Sequence, residues 1–380
     1  VGSGSELDKA QRIIQVMSFS SLLAQYLPPP QFLKMPSLGV DISDTSLKYI
    51  QFGEGKKNMR PLVTWGEIDI PSGILERGYV HDQKKLTDVL KECKAKTDAT
   101  FVRVSLPEER AYLFETEIKR STPTKEIRSL LEFRLEENVP IPARDAFFDF
   151  DILAGETNDK TIQVVVAAYA RETILNYFDA CNEAGLVPIA FEVEAQAMVR
   201  SVLPTGMRGA HMLVDFGKTR TGVGIVLDGK LMYTSTIDFG GNQLSEVLRK
   251  VHGQITEGEL TTIKNTQGLI KGVHDTRSYD ALISTMSVIK DELASRIQYW
   301  HSSENKTESR RIQSVILCGG SSNLKGLPEY FTETLGVPTS RASVWQNAFS
   351  VHNYIPPISI RHSYGYATAI GLALPPDTSL

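Results

Sequence analysis

AHMLVDFGKTRTGVGIVLDGKLMYTSTIDFGG, residues 210–241, sets apolar runs between breaks rich in Gly, Asp and Thr. That pattern predicts strand, turn, strand, turn, strand, with Asp215 ending the first apolar run. The same theme occurs earlier in the chain. SLGVDISDTSLKYIQF, residues 37–52, again places an acid, Asp41, at the end of an apolar strand, and a turn of small residues leads into the next strand. Further on, RIQSVILCGGSSNLKGLPEYFTETLG, residues 311–336, reads as a buried strand, a double-glycine turn and a helix. A repeated theme with helices added to each copy predicts an α/β protein with two related lobes around a cleft.

The intervening sequence fills in the halves. Helical periodicity covers 82–96, 122–140, 171–186, 242–265 and 278–303, while 100–107, 111–119, 146–155 and 161–170 read as strands. Residues 105–187 therefore read as an insert of strand, helix, two strands and helix. The expected division is a leader over 1–36, a first lobe from 37–104 and 188–209, the insert 105–187, and a second lobe over 210–380. Within the leader, residues 1–16 begin like an added linker and Met17 fits a native start. Phe19, Leu22, Leu23, Tyr26 and Leu27 form an apolar helical stripe that Pro28–Pro30 end.

Composition narrows the function classes. At 380 residues the chain exceeds one ordinary core, and 41% hydrophobic with 23% charged residues is a globular balance. Lys and Arg number 41 against 45 Asp and Glu, a net charge of -4, which excludes a generally basic nucleic-acid binder. Cys93, Cys181 and Cys318 are widely spaced without CxxC, so neither a zinc site nor a disulfide scaffold is expected. No apolar run approaches the ~20 residues of a membrane span, and no signal-peptide core is present, so a cytoplasmic protein is expected. Trp300 and His301 read as packing residues, and Lys56, Lys57 and Arg60 as a solvated loop cluster. No Ser-His-Asp arrangement is legible.

Three turns carry the candidate chemistry: DISDTSLK at 41–48, DFGKTRTG at 215–222, and the segment around Gly319 and Gly320. Turns rich in Gly, Ser and Thr expose backbone N–H groups and hydroxyls that can cradle phosphate oxygens. An Asp at a strand end can hold a hydrated Mg2+, and a double glycine admits close approach of a base or phosphate. Each turn alone is ordinary in an α/β protein.

In order and spacing, the three turns together resemble the actin-like ATPase superfamily. Within it the chain is similar to the PilM family of pilus-assembly proteins, relatives of the FtsA cell-division family. The resemblance spans 37–376 and is carried by LGVDISDTSLKYIQF, EENVPIP, FEVEAQAMVRSVL, the 213–244 segment, VILCGGSSNLKGLPEYFTETLGVP and YGYATAIGLAL. It implies two duplicated RNase H-like lobes around a nucleotide cleft, with an inserted subdomain of the FtsA/PilM type. It also implies ATP and Mg2+ as cofactors. Asp41, Ser43, Thr45 and Lys48 would form the first phosphate loop, and Asp215, Gly217 and Thr221 the second. Asp41 and Asp215 would hold the metal through water. Gly319, Gly320 and Ser321 would lie against adenosine, and Glu259 and Lys264 beside base and ribose. Glu194, opening the first connecting helix, would orient a water. Ser43 stands where the family usually has Gly, which leaves weak ATP hydrolysis open.

The partners implied are the cytoplasmic N-terminal peptide of a PilN-like inner-membrane protein, held beside the insert, and pilus motor or platform proteins, with self-association open. Contact with the membrane would be indirect, through that partner. Two other readings share the fold. An FtsA-like membrane tether for a filament ranks lower because GLALPPDTSL, residues 371–380, has no basic amphipathic stretch. A small-molecule kinase would need a carboxylate base, for which Glu194 is the one candidate.

Overall fold

The computed structural model describes residues 37–53, 59–153, 160–272, 276–302 and 310–375. The leader stripe and the Lys56 and Lys57 pair lie outside the described residues. β1 (Leu38–Ile42), β2 (Ser46–Phe52) and β3 (Leu62–Asp69) form an antiparallel meander. A short hairpin, β4 (Leu75–Glu76) and β5 (Tyr79–Val80), leads to the helix Gln83–Thr97. Asp82 caps that helix by accepting the Lys85 amide at 3.0 Å, which satisfies one orphan N–H of the first turn. β6 (Phe101–Leu106) then returns parallel to β1.

The chain next leaves the first sheet. β7 (Tyr112–Lys119), the helix Thr124–Asn138, β8 (Ala146–Ile152) and β9 (Thr161–Ala170) build a small antiparallel sheet in the order β7-β9-β8. Leu131 and Leu135 of its helix pack with Val164, Val166 and Ala168 in a separate core. After the helix Arg171–Glu183, β10 (Val187–Val193) joins β6 in parallel and completes the first sheet in the order β10-β6-β1-β2-β3. The connecting helix Glu194–Val202 follows directly.

β11 (Ala210–Phe216), β12 (Thr221–Leu227) and β13 (Lys230–Ile237) repeat the meander. The helices Gly241–His252, Glu257–Thr266 and Thr276–Ser302 precede β14 (Ile312–Cys318), which runs parallel to β11. The helix Leu327–Leu335 and β15 (Thr339–Arg341) finish a sheet in the order β13-β12-β11-β14-β15, the same order as the first. β11 is buried nearly throughout, as a central strand covered on both faces must be.

Three expectations need correcting. The helix expected over 242–265 is two helices, because Gly253 adopts φ 75° and Thr256 starts a new helix in a capping box with Glu259. The insert is shorter than 105–187, since Tyr177, Ala180 and Cys181 of the helix Arg171–Glu183 belong to the core of the first sheet. The second lobe does not run to the end of the described chain. Ala342, Trp345, Phe349, Ala369 and Ile370 return to the first core. The helix Ala367–Ala373 packs against β1 and the first connecting helix so closely that a Cβ on Gly371 would stand 1.8 Å from the Ala197 carbonyl oxygen. Glycine is what lets these two helices touch backbone to backbone.

Candidate functional site

The two meanders bring their first turns to one cleft. Asp41 lies next to the end of β1, where Ser105 at the end of β6 donates to its Oδ1 at 3.0 Å and accepts the Ile42 amide at 3.0 Å. Burial raises the Asp41 carboxyl, and the nearby Lys48 ammonium opposes the rise. Lys48 is Asp41's cross-strand partner; its Nζ donates to Ser46 Oγ at 3.0 Å and lies 3.4 Å from Glu67. Asp215 occupies the corresponding place on β11. Burial first, and then the charge of Asp41, pushes its carboxyl up to about 6.

The turn residues have diverse roles. The Ser43 hydroxyl donates to the Ser46 carbonyl at 3.0 Å and accepts the Ser46 amide at 3.2 Å, so it ties its own turn together. Thr45 contributes its carbonyl to the Ile70 amide at 2.9 Å. Gly217 sits where a Cβ would come within 2.8 Å of the Arg220 carbonyl oxygen. Its own carbonyl accepts Ser321 Oγ at 2.8 Å, which links the second and third turns. Gly319, at φ 82° and ψ 156°, packs against Asp215; a Cβ there would lie 2.4 Å from Asp215 Oδ1. Gly320 faces open space. The ideal Cβ position of Gly365 lies 3.7 Å from Lys48 Cε and 3.9 Å from the Gly320 amide nitrogen, so the first and third turns converge there.

Two expected site residues are used elsewhere. Thr221 is fully buried and its hydroxyl donates to the Phe239 carbonyl at 2.7 Å, so it holds β12 and is not presented to a ligand. Glu259 is exposed and closes the capping box of its helix, accepting the Thr256 amide at 2.9 Å and hydroxyl at 2.7 Å. A family motif fixes a position in the chain but not the direction of the side chain there. Lys264 is half-buried, donates to Ser245 Oγ at 2.8 Å, and has its pKa lowered mainly by burial.

Glu194 opens the connecting helix. Burial, and then the charges of Asp41 and Glu108, raise its carboxyl well above the ordinary range. Glu108 was not legible as a site residue. It is 4% exposed, and its Oε1 accepts the Ala195 amide at 2.9 Å, holding the start of the same helix. Its Oε2 is buried, 2.7 Å from where a Cβ on Gly222 would be, with the Thr234 hydroxyl near the carboxyl but no well-formed hydrogen bond to this oxygen. Burial, then Asp215 and Glu109, push the Glu108 carboxyl up to about 8. The acid pair after Pro107 was the one available signal. Among the described residues, no three His, Cys, Asp or Glu side chains are set to grip a metal directly.

A second feature lies between the insert and both lobes: a cavity of about 860 Å3. Leu113, Ile152 and Val165 of the insert, Val199 and Leu203 of the first lobe, and Leu231 of β13 supply apolar walls. Lys230 crosses from the β12–β13 turn to Asp151 at 2.6 Å, and Arg200 pairs with Glu192 at 2.6 Å.

Two sheets of one strand order, joined by touching helices and facing each other through carboxylates and glycine turns, define the fold of the actin-like ATPase superfamily. The chain belongs to the type IV pilus assembly protein PilM family, whose model matches residues 39–376. It is similar in structure to the PilM-PilN type IV pilus biogenesis complex, with TM-score 0.71 and 22% identity over 89% of this chain and 97% of that one. It is also similar to MreB 5 of Spiroplasma citri bound to AMPPNP, with TM-score 0.53 and 14% identity over 90% of this chain and 95% of that one. The ADP-bound form of the same protein gives TM-score 0.51 and 13% identity, over 87% and 94%. Among the described residues no helix is long and apolar enough to cross a membrane.

Proposed function

We propose that this protein is an ATP-binding adaptor at the cytoplasmic face of a type IV pilus inner-membrane platform, where it holds the N-terminal peptide of a PilN-like membrane protein. The observation that carries this reading is the PilM family match across 39–376. On the common strand order of the two sheets, we also read them as duplicated RNase H-like lobes.

The residues suit a magnesium nucleotide. Burial first, and then the charge of neighbouring carboxylates, raises the carboxyls of Glu108, Glu194 and Asp215 beside the buried Asp41, a set of oxygens whose ionised form a nearby cation would favour. Asp41 and Asp215 would hold Mg2+ through water, since magnesium keeps several of its waters. Lys48 and Gly320, beside which there is open space for a ligand, would receive phosphate oxygens, and Gly319 and Ser321 shape the wall behind them. When bound, ATP supplies the polyphosphate and its metal the compensating charge. Glu194 would orient a water, with Glu108 positioning its helix. Because Ser43 is turned into its own loop, it stands in for glycine without projecting a hydroxyl at the phosphates.

The cavity beneath the insert is the place we assign to the partner peptide: its walls are apolar and its rim carries charges of both signs. Motor or platform proteins, and a second copy of the chain, would engage other surfaces of the same adaptor. Equilibrium titration of the full chain with fluorescent Mg-ATP tests the nucleotide half. Saturable binding that Asp215→Ala removes is expected, and a folded wild type that ignores Mg-ATP refutes it.

A further inference from the structure

A charged network beside the cleft carboxylates, with Glu109 adjoining both, ties the two lobes together. Arg220 sits in the turn between β11 and β12, in the second lobe. Its guanidinium pairs with Asp44, in the first-lobe turn between β1 and β2, and with Glu109 at the base of the insert. The three side chains are only 18%, 16% and 20% exposed. Asp44 is itself fixed in place, accepting the Arg77 amide at 2.9 Å and the Gly78 amide at 3.2 Å. Arg77 in turn crosses in the opposite sense: its guanidinium pairs with Asp238, at the end of β13. Asp238 Oδ1 also lies 3.9 Å from Arg220 Nε, and Arg110 Nε donates to the Arg77 carbonyl at 3.0 Å. Each lobe therefore sends one arginine to an acid of the other.

Such an arrangement differs from ordinary surface pairing. A guanidinium is a planar fork whose ends can grip two carboxylates at once, and here the grip runs from one lobe to the other. The Arg220 pairs with Asp44 and Glu109 are weakly screened by salt, and removing one partner strands a charge away from water, whereas Arg77 and Asp238 are exposed and contribute less.

We propose that Arg220 with Asp44 and Glu109, together with Arg77 and Asp238, forms an ionic lock that keeps the two lobes closed on each other without needing a nucleotide. Lobe opening is then governed by the rupture of these pairs. The lock does not depend on the cleft binding ATP.

The test uses the full chain with no nucleotide present. Asp88→Cys and Lys250→Cys place spin labels on exposed sites of the two lobes, and the three native cysteines are buried. Pulsed dipolar spectroscopy then reads the inter-lobe distance. One narrow population is expected with Arg220 intact, and a second, longer population in Arg220→Gln, with Arg220→Lys between them because it keeps the charge but loses the fork. Circular dichroism confirms folding. Should Arg220→Gln fail to fold, the Asp44→Asn and Glu109→Gln double variant takes its place with the same expectation. An unchanged distribution in whichever of these is folded overturns the lock, as does a wild type that already shows the longer population in equal measure.

Discussion

Replacing Asp215 by Asn should stabilise the protein while removing its proposed binding of Mg-ATP. The carboxyl is held near 6 in the folded chain against an ordinary 3.8, chiefly because burial disfavours its charge. Each tenfold change in proton affinity corresponds to about 1.36 kcal/mol, so at neutral pH the ionised Asp215 costs the folded state on the order of 3 kcal/mol. The sign follows from proton binding. As pH rises from about 4 to about 6 the unfolded chain gives up this proton first, so stability falls through that window, and the full penalty holds above it. Asn keeps the shape of the side chain and never ionises. Urea unfolding followed by circular dichroism should therefore show a higher midpoint for Asp215→Asn at about pH 7.5, with the two proteins converging near pH 4. Saturating Mg2+ should narrow the gap at the higher pH by offsetting the charge in the wild type. A variant less stable than wild type at neutral pH, or a difference that does not shrink on acidification, would refute the reasoning.

Gly319→Ala should cost on the order of 3 kcal/mol, because its backbone lies in a region open essentially to glycine and its Cβ would strike Asp215; thermal unfolding checks this, and an unchanged midpoint contradicts it. Thr221→Val should lower stability by about 1 kcal/mol through the lost bond to Phe239 and leave Mg-ATP affinity within about twofold. A large loss of affinity in a stable Thr221→Val protein would return that hydroxyl to the ligand. Ser43→Gly should weaken the first turn by about 1 kcal/mol without tightening nucleotide binding, since the hydroxyl serves Ser46. Calorimetry on both variants measures stability, and fluorescent nucleotide titration measures affinity.

Local signals made the two meanders legible. Asp41 and Asp215 end their apolar runs in sequence and stand at matching places in the structure, and the double glycine marks the third turn. What could not be read depends on contacts between distant parts of the chain. Glu108 acquires its role from Ala195, 87 residues on, and from the charge of Asp215. The return of 342–374 to the first core is equally invisible to periodicity, because an apolar helix does not say which sheet it will cover. Thr221 and Glu259 show the other limit: Thr221's hydroxyl is taken by the Phe239 carbonyl just beyond the neighbouring strand β13, and Glu259's carboxylate by the amide of its own helix start. The split at Gly253 was present in the sequence, but the apolar spacing on both sides hid it.

The central claim is that this chain is an adaptor for a membrane-protein peptide. Fluorescence anisotropy of a labelled N-terminal peptide from a PilN-like inner-membrane protein of the same organism tests it most directly. Saturable binding to wild type is expected, weakened at least about tenfold by Ile152→Arg in the cavity wall and retained in Asp215→Ala. A folded wild type that leaves the peptide unbound, or binding that Ile152→Arg does not weaken, would contradict it.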